Sequence, residues 1–384
     1  MNPDALERVR RRLVDSGAPP RRSALVAMVR EDAGGLAGHD QVLGLAREAE
    51  WELSGAGPLQ QLLEDPGVTD VLVNAPDSVW VDRGSGLERT AVRFGGEAAV
   101  RGLAQRLAAL AGRRLDDASP YVDAALPDGT RLHAVLPPVA PGGTCLSLRT
   151  FRARAFSVSE LEAAGTLGRG GAELVRAVVR ARAAFLVSGG TGSGKTTLLS
   201  TMLGLVDPGE RLVLVEDAAE LRPEHPHVVR LTARPRNVEG AGEVSLRDLV
   251  RQALRMRPDR LFVGEVRSGE VVELLTALNT GHAGSGGTVH ANSAEQLPAR
   301  LEALGGLGQL DRGAVHSQVA AALQVALHLD RRPDGCRLLA EVAVFRREDG
   351  TVRVVPAWRH DVGPVGGWPE LVRMLGAHLP GSVW

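Results

Sequence analysis

Residues 184–203 read AFLVSGGTGSGKTTLLSTML, and this stretch decides the fold. Ala184–Ser188 is a short apolar run of the kind that forms a strand buried on both faces. Gly189, Gly190, Thr191, Gly192, Ser193, Gly194, Lys195 and Thr196 follow it, with Thr197 beyond. They fit the pattern G-x-x-x-x-G-K-[ST], and an amphipathic helix begins at once. Glycines let backbone amides curl round an anion without side-chain clash. The helix N-terminus adds the positive end of its dipole. Lys195 sets a compact ammonium against β- and γ-phosphates, and the Thr196 hydroxyl can ligate Mg²⁺. A dinucleotide fingerprint read from Gly190-x-Gly192 fails, because Lys195, Thr196 and Thr197 follow directly and no acidic ribose reader stands at a matching strand end. The stretch therefore predicts a nucleoside triphosphate with Mg²⁺, without saying what work is done.

Downstream, further apolar runs predict strands at Leu212–Val215 and Leu261–Val263, alternating with helices from about residue 158 onward. Such alternation predicts a parallel sheet covered on both faces. The first run ends in Glu216-Asp217-Ala218-Ala219-Glu220 and the second in Gly264-Glu265-Val266-Arg267. Ligands of open parallel sheets bind beyond the carboxyl ends of the strands, so both acidic groups are expected beside the phosphate loop. One carboxylate can orient an attacking water and another can hold Mg²⁺ through its waters, and Glu216 and Glu265 are the candidates. For Asp217 and Glu220, function and helix capping stand level. Ser245–Met256 reads as a helix opened by a Ser245/Asp248 capping box and closed by Pro258, with Arg247, Arg251 and Arg255 along one side. That row is either a solvated face or a reach toward a neighbouring subunit. Residues 279–292, NTGHAGSGGTVHAN, read as a glycine-rich loop carrying His282 and His290. Too few ligands stand nearby for a metal site. A phosphate sensor returning to the same sheet edge is the preferred reading of the pair.

Toward the N-terminus, residues 1–52 read as a helical extension broken at Ala18-Pro19-Pro20 and Gly34-Gly35. Residues 53–148 read as a small α/β domain, with strands at Val71–Val73, Val79–Val81, Arg131–Leu136 and Cys145–Thr150 and a helix over Glu97–Ala111. Residues 149–157 are the expected linker, and 158–384 the second domain.

Composition sets the outer limits. The 384 residues are 44 % hydrophobic and 24 % charged, an ordinary globular mix. Net charge is −1 and aromatics are 3 %, which speaks against direct nucleic-acid binding by a basic field or by base stacking. Cys145 and Cys336 make neither a disulfide framework nor a zinc knuckle. No run approaches the length of a spanning helix, and the opening MNPDALERVRRRLVDSG puts charges where a signal peptide needs its apolar core, so a cytosolic location is expected. Of 45 basic residues only Lys195 is lysine, and it falls in the strongest motif of the chain.

The order of phosphate loop, VEDAAEL, ALRMRPDRLFVGEVR and TGHAGSGGTVHAN resembles the secretion ATPases of type II and type IV systems, with their acidic box, GE-type Walker B motif and histidine box. GPLQQLLEDPGVTDVLVNAPDSVWVDRG, SPYVDAALPDGTRLHAVLPPVA and CLSLRTF are similar to the N-terminal domain of the CpaF-like branch that powers Tad (Flp-type) pilus assembly. The likeness spans roughly residues 55–345. It implies an N-terminal domain joined to a RecA-like ATPase domain, a homohexameric ring, ATP and Mg²⁺, and an inner-membrane platform protein as partner. It places the chain in the cytoplasm, peripherally at the inner membrane. It also implies roles: Glu216 for water activation, Glu265 as the Walker B glutamate, His282 and His290 as the histidine pair, and Arg131 and Arg149 as arginines that approach the nucleotide. Type II exporters carry a tetracysteine module that two cysteines cannot build. A type IV conjugation or effector-secretion ATPase is the alternative within the family, and a RecA-like nucleic-acid motor or a small-molecule kinase outside it.

Overall fold

The computed structural model describes residues 8–379 except 10, 14, 16–21, 33–37, 85, 151–153, 235 and 237–240. The expected breaks at Ala18–Pro20 and Gly34–Gly35 and the middle of the expected linker, residues 151–153, lie outside the described residues. The chain divides into two compact units, Met1–Phe151 and Arg152–Trp384.

In the first unit, helices Arg22–Asp32 and His39–Leu53 bury Leu25, Val29, Val42, Ala46 and Ala49 in a small core of their own. After them come strands β1 (Asp70–Ala75), β2 (Ser78–Asp82) and β3 (Leu87–Arg89), helix Glu97–Leu110, then β4 (Tyr121–Ala125), β5 (Arg131–Val135) and β6 (Cys145–Arg149). The six strands form one antiparallel sheet in the order β3-β2-β1-β6-β5-β4. Period-2 alternation decides which face is covered. Val71, Val73, Val79, Val81, Leu132, Leu146 and Leu148 turn inward against Val100, Leu103 and Leu107 of the Glu97–Leu110 helix. Arg131 and Arg149 stand opposite each other on the other face.

The second unit is a nine-stranded sheet in the order β15-β14-β13-β12-β7-β11-β10-β8-β9. Its strands are β7 (Phe185–Gly189), β8 (Leu212–Glu216), β9 (Val228–Thr232), β10 (Arg260–Val266), β11 (Gly286–His290), β12 (Val325–Arg331), β13 (Arg337–Glu348), β14 (Thr351–Arg359) and β15 (Gly363–Pro364). From β12 to β9 every pairing is parallel. From β12 outward to β15 every pairing is antiparallel. The sheet is thus a parallel half, as the alternation predicts, extended by an antiparallel half. Successive residues of the central strands enter two different cores. Phe185, Val187, Leu212, Leu214 and Phe262 pack with helices Gly171–Arg180 and Lys195–Leu203 on one side. Leu186, Val213, Val215, Leu261 and Val263 pack with helices Leu246–Ala253, Val271–Asn279, Leu297–Leu307 and Arg312–Ala322 on the other. Burial on both faces is why these strands read as unbroken apolar runs.

One expectation is overturned. The stretch 279–292 is not simply a loop, because Gly286–His290 is strand β11 in the middle of the sheet. A Cβ on Gly286 would lie 2.1 Å from the Phe185 carbonyl oxygen, and one on Gly287 would lie 2.6 Å from that of Val263. The glycines are there because neighbouring backbones approach too closely for side chains.

Candidate phosphate-binding site

The carboxyl ends of β12, β7, β11, β10 and β8 share one edge, and the loop after β7 sits at its centre. Gly189, Gly192 and Gly194 have φ of 153°, 71° and 97°, values that side-chain-bearing residues rarely adopt. A Cβ on Gly189 would also lie 2.4 Å from the Leu329 carbonyl oxygen. Nothing stands within 4 Å of the position a Cβ on Gly190 would take. Gly194 precedes the Lys195–Leu203 helix, so the free amides of the first turn, including those of Thr196 and Thr197, open toward the loop. Lys195 Nζ donates to the carbonyls of Gly189 (3.0 Å) and Gly190 (2.8 Å). Burial lowers the lysine's pKa; the Glu265 carboxylate opposes that shift and the Arg267 guanidinium adds to it. The donor set of curled amides, a half-buried ammonium and a threonine at a helix start suits a polyphosphate with its metal. Among the described residues no group of three or more His, Cys, Asp or Glu could hold a metal alone. A bound Mg²⁺ would need phosphate oxygens or water to complete its shell.

The acids come to the same edge. Glu216 ends β8 at 3 % exposure. Its Oε1 accepts from the amides of Glu220 (2.9 Å) and Leu221 (2.8 Å), while its buried Oε2 has no hydrogen-bond partner. Burial raises its pKa to about 7 against the pull of those two amides. Gly264 lies beside Glu216, and a Cβ there would fall 2.9 Å from Glu216 Cγ. Glu265 is held by Arg267, whose Nη1 also lies 3.6 Å from Asp217 Oδ2. The Glu265 carboxylate raises the Arg267 pKa.

Of the two histidines, only His290 reaches the loop. Its Nδ1 is 2.8 Å from the Gly189 carbonyl and its Nε2 is 2.9 Å from Thr191 Oγ1. A carbonyl oxygen only accepts, so Nδ1 carries a proton and donates it to Gly189. His282 precedes β11, at the amino edge of the sheet, with Nδ1 donating to the Ala277 carbonyl at 3.1 Å. At ~3.3 Å per residue, the four steps of β11 from Gly286 to His290 alone put roughly 13 Å of strand between the two positions. The arginine row is likewise split. Arg247 and Arg251 both bond Glu273 Oε1, at 2.6 and 2.8 Å, within the same unit. Arg131 lies 3.6 Å from Asp123, and Arg149 Nε donates to Asp70 Oδ1 at 2.9 Å, both inside the first unit's sheet.

Sequence reasoning missed the far wall of the site. β12 runs beside β7 with Leu329 level with Gly189, and it turns back through residues 332–336 into β13. Arg337 Nε donates to the Gly192 carbonyl at 2.8 Å. Arg331 Nη1 would lie 3.5 Å from a Cβ on Gly192. His328, one turn of pleat earlier, is 2.9 Å from Ser188 Oγ, and burial holds its pKa below the usual histidine range. Two arginines at the ends of paired strands were the available signal, but 44 arginines in one chain hid it.

A model of the type II/IV secretion system protein family matches residues 52–351. A putative conjugal transfer protein of Mycobacterium tuberculosis is 60 % identical over 332 residues, covering 85 % of this chain and 94 % of that protein. The type IV secretion system protein PtlH of Bordetella pertussis is 34 % identical, over 63 % of this chain and 78 % of its own. The ATPase DotB of Legionella pneumophila shares the fold, with a TM-score of 0.53 at 20 % identity over 76 % of this chain and 80 % of that one. Phosphate loop, acidic strand ends and matched length agree: the chain belongs to the type II/IV secretion system protein family.

Proposed function

We propose that this chain hydrolyses ATP and that the cycle drives assembly of a Tad/Flp-type pilus. The observation that carries the hydrolase reading is the convergence of Lys195, Glu216, Glu265 and His290 on one sheet edge round the Gly189–Thr197 loop. In this reading the loop amides hold the phosphates, and Lys195 swings from the Gly189 and Gly190 carbonyls onto the terminal phosphoryl group. Thr196, and Glu265 through water, would hold Mg²⁺, which would supply neutralisation of phosphate charge. Glu216 takes the proton of the attacking water, a task that its pKa of about 7 suits. His290 and Thr191 report loss of the terminal phosphate to β11.

The pilus reading rests on the likeness of residues 57–84 and 119–151 to the Tad branch. With it come the remaining parts of the proposal: a helical extension (1–52), an N-terminal domain (53–148), a linker (149–157) and a RecA-like domain (158–384). Six copies form a ring on the cytoplasmic side of the inner membrane, against a platform protein. Arg131 and Arg149 leave Asp123 and Asp70 for the nucleotide when ATP draws the domains together. No described helix is long and apolar enough to cross a membrane.

Conjugal transfer is the second reading, favoured by the name of the Mycobacterium tuberculosis relative. A strain lacking the gene, complemented with wild type or with Lys195→Ala, separates the two. Loss of surface pili that only wild type restores supports the first. Intact pili with lost DNA transfer supports the second.

A further inference from the structure

Strands β10 and β11 pair in parallel, but their register slips near the end of β10. Phe262 and Val263 stand opposite Gly286 and Gly287, and the next pair is Val266 with Val289. Gly264 and Glu265 therefore share Thr288 as their one counterpart. An extra residue of this kind is a β-bulge, which bends its strand and re-aims a side chain, and parallel ladders rarely carry one. This bulge falls on the Gly-Glu pair that β10 brings to the site.

Contacts on both sides hold it. On one side Gly264 lies against Glu216, with no room for a side chain. On the other Thr288, 1 % exposed, donates its hydroxyl to the Gly264 carbonyl at 2.6 Å. Valine would suit a buried strand position as well, so the hydroxyl is what sets this residue apart. The carbonyl it holds belongs to the planar peptide joining Gly264 to Glu265, and its direction fixes the plane from which the Glu265 side chain departs. Burial lowers the Lys195 pKa, and the Glu265 carboxylate is near enough for its charge to oppose that shift. Two residues beyond Thr288, His290 bonds the Gly189 carbonyl. A single strand, β11, thus touches the phosphate loop through His290 and the bulge through Thr288.

We propose that Thr288 is a positioning residue for Glu265: its hydroxyl pins the bulge and so holds the Glu265 carboxylate in the orientation that Mg²⁺ binding requires. The proposal deepens the ATPase reading and rests on it for the role of Glu265. Loss of the hydroxyl leaves the phosphate loop as it is and frees the Gly264–Glu265 peptide to turn.

The test follows phosphate release from Mg²⁺-ATP by the full chain, and ADP binding by calorimetry with and without Mg²⁺. Thr288→Val is expected to lower kcat at least about tenfold while KM for ATP changes less than about threefold. The factor by which Mg²⁺ strengthens ADP binding is expected to fall at least about threefold in the same variant. Thr288→Ser keeps the hydroxyl and should hold kcat within about threefold of wild type, even where loss of the methyl lowers its melting temperature. Ser285→Ala is the structural control, because the buried Ser285 hydroxyl accepts from the Leu261 amide at 2.8 Å, toward the other end of β10. It should lower the melting temperature and leave kcat within about threefold. Should Thr288→Val fail to fold, Thr288→Ala, which also lacks the hydroxyl and adds no bulk, is read in its place. Unchanged kcat and an unchanged Mg²⁺ factor in the variant without the hydroxyl would overturn the proposal, and so would a Thr288→Ser chain equally impaired. A wild-type chain that turns over no ATP, but whose Mg²⁺ factor still depends on the Thr288 hydroxyl, would sink the hydrolase reading and leave the positioning role standing.

Discussion

Single side chains at the sheet edge carry the sharpest consequences. Glu216 is the clearest, because burial lifts its carboxyl from an ordinary 4.5 to about 7. Between those values the folded chain keeps a proton that the unfolded chain has released, so raising the pH through the window removes stability. The stabilising proton is fully present below about pH 4.5 and lost above about pH 7, a difference of roughly 3 kcal/mol. Glu216→Gln keeps an Oε1 for the Glu220 and Leu221 amides and cannot titrate. Its stability relative to wild type is expected to rise by about that amount between pH 5 and 8, read from urea midpoints at both values. Parallel pH profiles would show that Glu216 does not hold the proton. Arg337 belongs to the same scale. Its bond to the Gly192 carbonyl fixes which way that peptide faces, so Arg337→Ala is expected to raise the KM for ATP about tenfold with kcat changed less than about threefold. Arg337→Lys should recover little, because an ammonium lacks the fixed planar fork. A loss confined to kcat would refute the positioning role.

At the scale of elements, what the sequence shows depends on how local the cause is. The strand-loop-helix at 185–203 and the capping box at Ser245 and Asp248 are both encoded within a few residues, and both stand in the structure. β11 was hidden because its first two residues are glycines, whose presence is dictated by the carbonyls of Phe185 and Val263, far away in sequence. The same distance effect hid the β12–β13 wall and parted His282 from His290. Gly287→Val tests the explanation for β11. A side chain there meets the Val263 carbonyl in the middle of the sheet, so the change is expected to cost at least about 3 kcal/mol and to strip protection from β7 and β10 in amide exchange. Val at Gly306, on the Leu297–Leu307 helix with nothing within 4 Å of its Cβ position, is the contrasting control and should cost less than about 1.5 kcal/mol. Equal costs would mean that the strand's glycines answer to something other than crowding.

For the whole molecule, the family assignment and the phosphate-site geometry point to one activity, and one lysine stands at its centre. The chain has no other lysine side chain that could take over the contact with a terminal phosphate. Glu216, Glu265 and His290 come to the sheet edge that carries the loop from three different strands, so their joint presence there depends on the complete parallel half of the sheet. Phosphate release from Mg²⁺-ATP by the full-length chain, wild type against Lys195→Ala at equal protein concentration, tests this most directly. At least a hundredfold loss is predicted, about 2.7 kcal/mol of transition-state stabilisation. An undiminished rate in the variant would contradict the assignment of this loop as the site of ATP hydrolysis.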